Sequence, residues 1–201
     1  MCLMYLYLVR HGDTQLGHDG LYPDPAHLSE SGHAQARALA PRLRCIDPHV
    51  LITSGLERAD ETAAPFAETS QLQTVFIPEF DEIGIGDLRS RDPSVLQAKL
   101  SHRPYISDFS EFDGESSTEF AERVLGAFQT RVLDQFVEGQ RVALVIHGGP
   151  INVILQWIET GSFSGTLSRN IETASVTLLR RQPDGLQIVY ESGTSHLADL
   201  T

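Results

Sequence analysis

The sequence predicts an α/β protein: a three-layer sandwich in which a mostly parallel central sheet, with one antiparallel strand, carries helices on both faces. Three observations predict it. Short apolar runs alternate with segments of helical spacing, the order that builds parallel sheets through right-handed crossovers. The first run, MYLYLV (4–9), is continuously apolar, as a strand buried on both faces must be. Near the C-terminus QPDG (182–185) joins two strand-like runs, the signal of a hairpin and so of one reversed strand.

After the first strand, LSESGHAQARALAPRLRCI (28–46) places Ala34, Ala38, Leu39 and Leu43 at helical spacing, with Ser29 or Ser31 as N-cap and Pro41 expected to kink or shorten the helix. HVLIT (49–53) is a second strand, 56–68 a second helix containing Pro65, and QTVFI (73–77) a third strand. Turn residues break the pattern from 78 to 110, with one helical stretch, SVLQAKL (94–100). The segment 116–136 reads as one helix, because Phe120, Val124, Phe128, Val132 and Phe136 recur every four residues and Ser116 with Glu119 forms a capping box. RVALVI (141–146) is a buried strand, and HGGPINVILQWI opens a helix with Pro150 in its first turn. Strands at 174–180 and 186–191 complete the hairpin.

At 201 residues, 41% apolar and 21% charged, with no Gly-, Pro- or Ser-rich block, the chain reads as one domain over 1–201 with a small cap-like insertion at about 78–115. A net charge of −12 argues against nucleic acid and anionic membrane as partners. The basic residues are 14 Arg and one Lys, Lys99, so a bound anion is held by guanidinium groups, whose planar fork suits phosphate and carboxylate. Cys2 and Cys45 are expected as free thiols in a reducing compartment. The run from Cys2 to Val9 lacks a basic leader and is too short to span a bilayer, so a cytoplasmic location is expected.

Two strands end in histidine: LVRHG at His11 and VIHGG at His147. In open α/β sheets ligands collect outside the carboxyl ends of the strands, so neighbouring strands would bring both imidazoles to one pocket. By composition, Arg-His-Gly arises by chance in roughly 0.04 copies per chain, and alone it fits a solvated pair opening a turn. SGLERADETA (54–63) puts Arg58 in the first turn of a helix, where the dipole disfavours a cation. Either Glu57 or Glu61 compensates it at the surface, or it points at an anion. EFDEIGIGD (79–87) offers Asp81 and Glu82, solvated loop acids or carboxyls folded back toward apolar strand ends with raised pKa. His11, Asp13 and His18 match no zinc-ligand spacing, so no metal is expected. The histidines at 18, 27, 33, 49, 102 and 196 read as surface or capping residues.

In order along nearly the whole chain, LVRHGDT, LSESGHAQA, TSGLERADETA, EFDEIGIGD, DGESSTEFAERV, VIHGG and NIETASVTLL resemble the histidine phosphatase superfamily, phosphoglycerate mutase-like proteins, and among them the small bacterial phosphatases. The resemblance implies that His11 is the nucleophile and becomes phosphorylated. It also implies that Arg10, Arg58, His147 and the Gly148 N–H surround the phosphoryl oxygens, that Thr14 lies in the phosphate pocket, and that Glu82 is the acid and base. The activity implied is metal- and cofactor-independent hydrolysis of a small phosphorylated metabolite, by a monomer or homodimer. Phosphomutase activity and a non-catalytic phospho-ligand module are the alternatives.

The chain departs from the family pattern at Gly17, where many members carry an asparagine that helps hold the phosphate. It departs again at Leu88 and Arg89, where many have a tryptophan and a glutamate. Substrate choice is expected in 87–115, with Arg89, Arg91, Arg103 and Tyr105 as candidate contacts. The longer insertion of the cofactor-dependent mutases is lacking, which favours hydrolysis.

Overall fold

The computed structural model describes residues 3–15, 25–90, 94 and 108–200. Gly17, His18, Arg91, Lys99, His102, Arg103, Tyr105 and all but Ser94 of the predicted 94–100 helix lie outside the described residues. The elements are β1 (Met4–Arg10), α1 (Glu30–Ile46), β2 (Val50–Thr53), α2 (Glu57–Ser70), β3 (Thr74–Phe76), α3 (Ser117–Ala127), β4 (Arg141–Ile146), α4 (Gly148–Thr160), β5 (Val176–Gln182) and β6 (Gly185–Gly193).

The sheet order is β3-β2-β4-β1-β5-β6. β1, β2, β3 and β4 pair in parallel, whereas β5 runs antiparallel to both β1 and β6 and is the one reversed strand. Period-two alternation divides the core. Leu6, Leu8, Val142, Leu144 and Ile146 pack on one face with Phe120 and Val124 of α3 and Ile151 and Ile154 of α4. Val9, Ala143 and Val145 pack on the other with Leu39 and Leu43 of α1 and Ala59, Ala63 and Phe66 of α2. Burying each leucine, isoleucine, valine or phenylalanine among these is worth about 1.5–3 kcal/mol.

Ser29 is the N-cap of α1, accepting from the Gly32 N–H at 3.0 Å. Pro41 does not shorten this helix, which continues to Ile46. Likewise α2 passes through Pro65 and runs to Ser70. The predicted single helix 116–136 has its capping box, but the α-helix ends at Ala127 and passes into a π-helical stretch, Phe128–Leu133. The wider turn keeps Phe128, Val132 and Leu133 all buried. Among the described residues no helix is long and apolar enough to cross a membrane.

Candidate active site

Parallel pairing sets the site. β1 and β4 are neighbours in the register Arg10↔Ile146, and the His11 N–H donates to the Ile146 carbonyl at 2.9 Å. His11 and His147 therefore leave adjacent strand ends side by side. On the far side of β4, β2 ends at Thr53 and delivers Ser54 and the first turn of α2. Beyond it β3 leads through a 3-10 turn (Pro78–Phe80) to Asp81 and Glu82.

His11 is almost fully buried, and its Nδ1 lies 2.7 Å from the Gly12 carbonyl oxygen. A carbonyl only accepts, so Nδ1 carries the proton and Nε2 keeps its lone pair. Burial, then the Arg58 and Arg10 charges, lower the His11 pKa from its ordinary 6.5 to about 3 despite the opposing Gly12 hydrogen bond. Burial is a larger cause than either arginine. His147, with no exposed surface, is held well below its ordinary value by burial first and then by Arg58, His11 and Arg10. Its Nε2 lies 2.8 Å from the Ser54 hydroxyl, itself buried. Arg58 thus acts on both imidazoles. Glu61, one candidate for compensating Arg58, instead accepts from the Leu28 N–H at 2.8 Å and lies 2.6 Å from His27 Nδ1.

The Arg10 guanidinium donates through Nη1 to the Ile171 carbonyl at 2.5 Å. The loop carrying Ile171 is tied to α4 by Asn152, which accepts from the Arg169 N–H at 3.0 Å and donates to the Arg169 and Gly148 carbonyls. A Cβ on Gly148 would lie 3.5 Å from Arg10 Nε, an atom that is buried and without a hydrogen-bond partner among the described residues. Gly148 opens α4, whose first-turn N–H groups and dipole favour an anion at this end. Thr14 is buried in an antiparallel bridge with Leu28.

The Glu82 carboxylate reaches the same helix end, where its Oε2 accepts from the Gly149 N–H at 3.1 Å. Its backbone is gripped by Arg123 of α3, which donates to the carbonyls of Glu79 (2.8 Å), Asp81 (3.3 Å) and Glu82 (3.4 Å) and binds Glu115 through Nε and Nη2, both at 2.6 Å. Glu115 also accepts from the Gly84 N–H at 2.8 Å. Burial raises the pKa of the neighbouring Asp81.

Close backbone contact seats the first loop. A Cβ on Gly32 would meet the Asp13 carbonyl oxygen at 2.0 Å, and one on Gly12 the Gly32 carbonyl oxygen at 2.9 Å, so both positions require glycine. The Asp13 carboxylate accepts from the Ser29 and Ser31 hydroxyls at 2.6 and 2.7 Å, which sets the loop against the start of α1.

Arg10, His11, Arg58, Glu82, His147 and Gly148 are therefore arranged around four adjacent strand ends. Sequence reasoning missed Ser54, Gly149, Arg123 and Glu115, although each stands inside a segment that had drawn attention. Among the described residues no group of three or more His, Cys, Asp or Glu is placed to hold a metal ion.

Residues 6–192 match the model of the histidine phosphatase superfamily (branch 1). The chain is 31% identical over 159 residues to an adenosylcobalamin/alpha-ribazole phosphatase of Escherichia coli K12, covering 76% of this chain and 77% of that protein. It is 26% identical over 201 residues to a phosphoglycerate mutase of Schizosaccharomyces pombe, covering 92% and 94%. The crystal structure of the alpha-ribazole phosphatase from Shigella flexneri superposes with a TM-score of 0.76 at 25% identity, covering 94% of this chain and 96% of that one.

Proposed function

The chain belongs to the histidine phosphatase superfamily (branch 1), an enzyme family, and from that premise we propose that it is a metal-independent phosphatase hydrolysing a small phosphomonoester through a phosphohistidine on His11. The observation that carries this reading is the state of His11: Nδ1 is committed to the Gly12 carbonyl, and the low pKa leaves the Nε2 lone pair free at neutral pH.

In the first step Nε2 attacks phosphorus, the N–P bond forms and the ester P–O bond breaks, while Glu82 passes a proton to the leaving alcohol oxygen. In the second, the Glu82 carboxylate takes a proton from water, the water oxygen attacks phosphorus, and the P–N bond breaks to return neutral His11 and release phosphate. Arg10 and Arg58 neutralise the charge on the equatorial oxygens, His147 and the Gly148 N–H donate hydrogen bonds to them, and Thr14 lies in the phosphate pocket. With two guanidinium groups carrying that charge, the chemistry asks for no metal ion.

The relatives' names, alpha-ribazole phosphatase among them, support a small phosphorylated metabolite as substrate. The mutase relative keeps phosphomutase activity as the second reading. Phosphate release from a panel of phosphomonoesters in EDTA, including α-ribazole 5′-phosphate and 3-phosphoglycerate, tests both. Hydrolysis lost in His11→Ala is expected; full activity in that variant overturns the reading, and isomerisation of phosphoglycerate without phosphate release favours the mutase.

A further inference from the structure

Glu82 stands on a loop, yet its carboxylate is held by a residue of a helix 67 positions away. The Gly149 N–H donates to Oε2, and the space that a Cβ on Gly149 would fill is already occupied: such an atom would sit 1.9 Å from Glu82 Oε1 and 3.0 Å from Phe120 Cζ. Gly149 is not in a left-handed conformation, so backbone freedom does not explain a glycine there. In helical geometry alanine is the better residue by about 1 kcal/mol.

The geometry points to Gly149 as a positioning residue for the acid: its N–H holds one carboxylate oxygen, and its missing side chain makes the room in which the other lies. An added methyl meets the far end of a flexible side chain before it meets any backbone. The inexpensive response is for Glu82 to swing away, leaving the helix intact and the acid misplaced. Loss of proton donation at the leaving oxygen is then the expected consequence. The assignment rests on the phosphatase reading above, in which Glu82 protonates that oxygen.

The test uses two substrates of one shape that differ in their need for a proton, p-nitrophenyl phosphate, whose phenolate leaves unaided, and phenyl phosphate, whose phenolate does not. Gly149→Ala is expected to lower kcat/KM for phenyl phosphate by roughly 10²-fold, the lower range for a general acid, and that for p-nitrophenyl phosphate far less. In a Glu82→Gln background, where the acid is already gone, it is expected to add no further loss. Phe120→Leu with Gly149→Ala frees the apolar side of the same spot, so the selective loss is read in that double variant, against Phe120→Leu alone, should Gly149→Ala fold poorly. Equal losses on both esters, or none, in a wild type that hydrolyses both overturn the assignment alone. A wild type that hydrolyses neither overturns the phosphatase reading and the assignment with it.

Discussion

The imidazoles of His11 and His147 face one another with ring centroids 5.1 Å apart and planes tilted by 56°. Each is kept neutral by burial and by the same guanidinium, Arg58. A buried site with arginines carrying the positive charge and imidazoles left neutral can receive a dianion and still offer a nucleophilic lone pair.

That arrangement sets the pH dependence of stability. The His11 pKa is ordinary, 6.5, in the unfolded chain and about 3 in the folded one, so between those values the unfolded chain binds a proton that the folded one does not. Stability is fully present above pH 6.5 and falls as pH drops toward 3, at about 1.4 kcal/mol per pH unit where the difference is a full proton. His147 shifts in the same direction and adds to the slope. His11→Asn is expected to shrink the loss of stability between pH 7 and pH 5 by on the order of 2 kcal/mol, read from urea midpoints. Identical slopes in variant and wild type would mean that folded His11 takes up its proton normally.

Arg58 is the charge common to both histidines, so Arg58→Gln is expected to raise both pKa values, measured from imidazole NMR shifts on titration. Loss of one charged donor at a developing oxyanion costs about 10²–10³ in turnover, and kcat/KM is expected to fall by that order. Histidine titrations unchanged from wild type would place Arg58 away from the site.

Gly32 is the tightest point between the first loop and α1. Here the obstructing atom is the backbone oxygen of Asp13, 2.0 Å from a Cβ, and no rotamer change relieves the clash. Gly32→Ala is expected to cost about 3 kcal/mol or more in thermal or urea unfolding, with activity lost through displacement of His11. A stability within 1 kcal/mol of wild type would refute the contact.

Much of this was legible in the sequence because it is carried by local signals. The apolar runs and the QPDG turn placed the strands, and the histidine at the end of each of two strands anticipated that the two imidazoles lie side by side. What was not legible depends on contacts between distant segments. Nothing near Arg123 says that it reaches three carbonyls more than 40 positions away, and nothing near Gly149 says that a carboxylate lies across it. The π-helical turn at 128–133 hid behind a four-residue apolar spacing that an α-helix fits equally well. Pro41 misled for the opposite reason: the local rule is real, but burial of the flanking helix face outweighs one missing hydrogen bond, and α1 is not shortened.

The Arg123 clamp gives the last prediction, which separates holding the acid loop from doing chemistry. Arg123 and Glu115 are each about a quarter exposed, so solvent screens the pair only in part. Arg123→Met removes every donor that ties the carbonyls of Glu79, Asp81 and Glu82 to α3 and leaves Glu115 without its cation; the expected cost is about 2 kcal/mol. Burial pushes the Glu115 carboxyl up, but the Arg123 and Gly84 hydrogen bonds outweigh it and hold the pKa below its ordinary 4.5. The pair's contribution is therefore present above pH 4.5 and lost as pH falls through the lower folded value, and the gap between variant and wild type narrows below pH 4.5. Hydrogen exchange at the Gly84 amide, which donates to Glu115, is expected to speed up in the variant, while amides of β4 keep their protection relative to global unfolding. Arg123→Lys keeps the charge without the planar fork and should fall between the two. A variant whose Gly84 amide exchanges as slowly as in wild type would show that the loop is held by its own turns and not by Arg123.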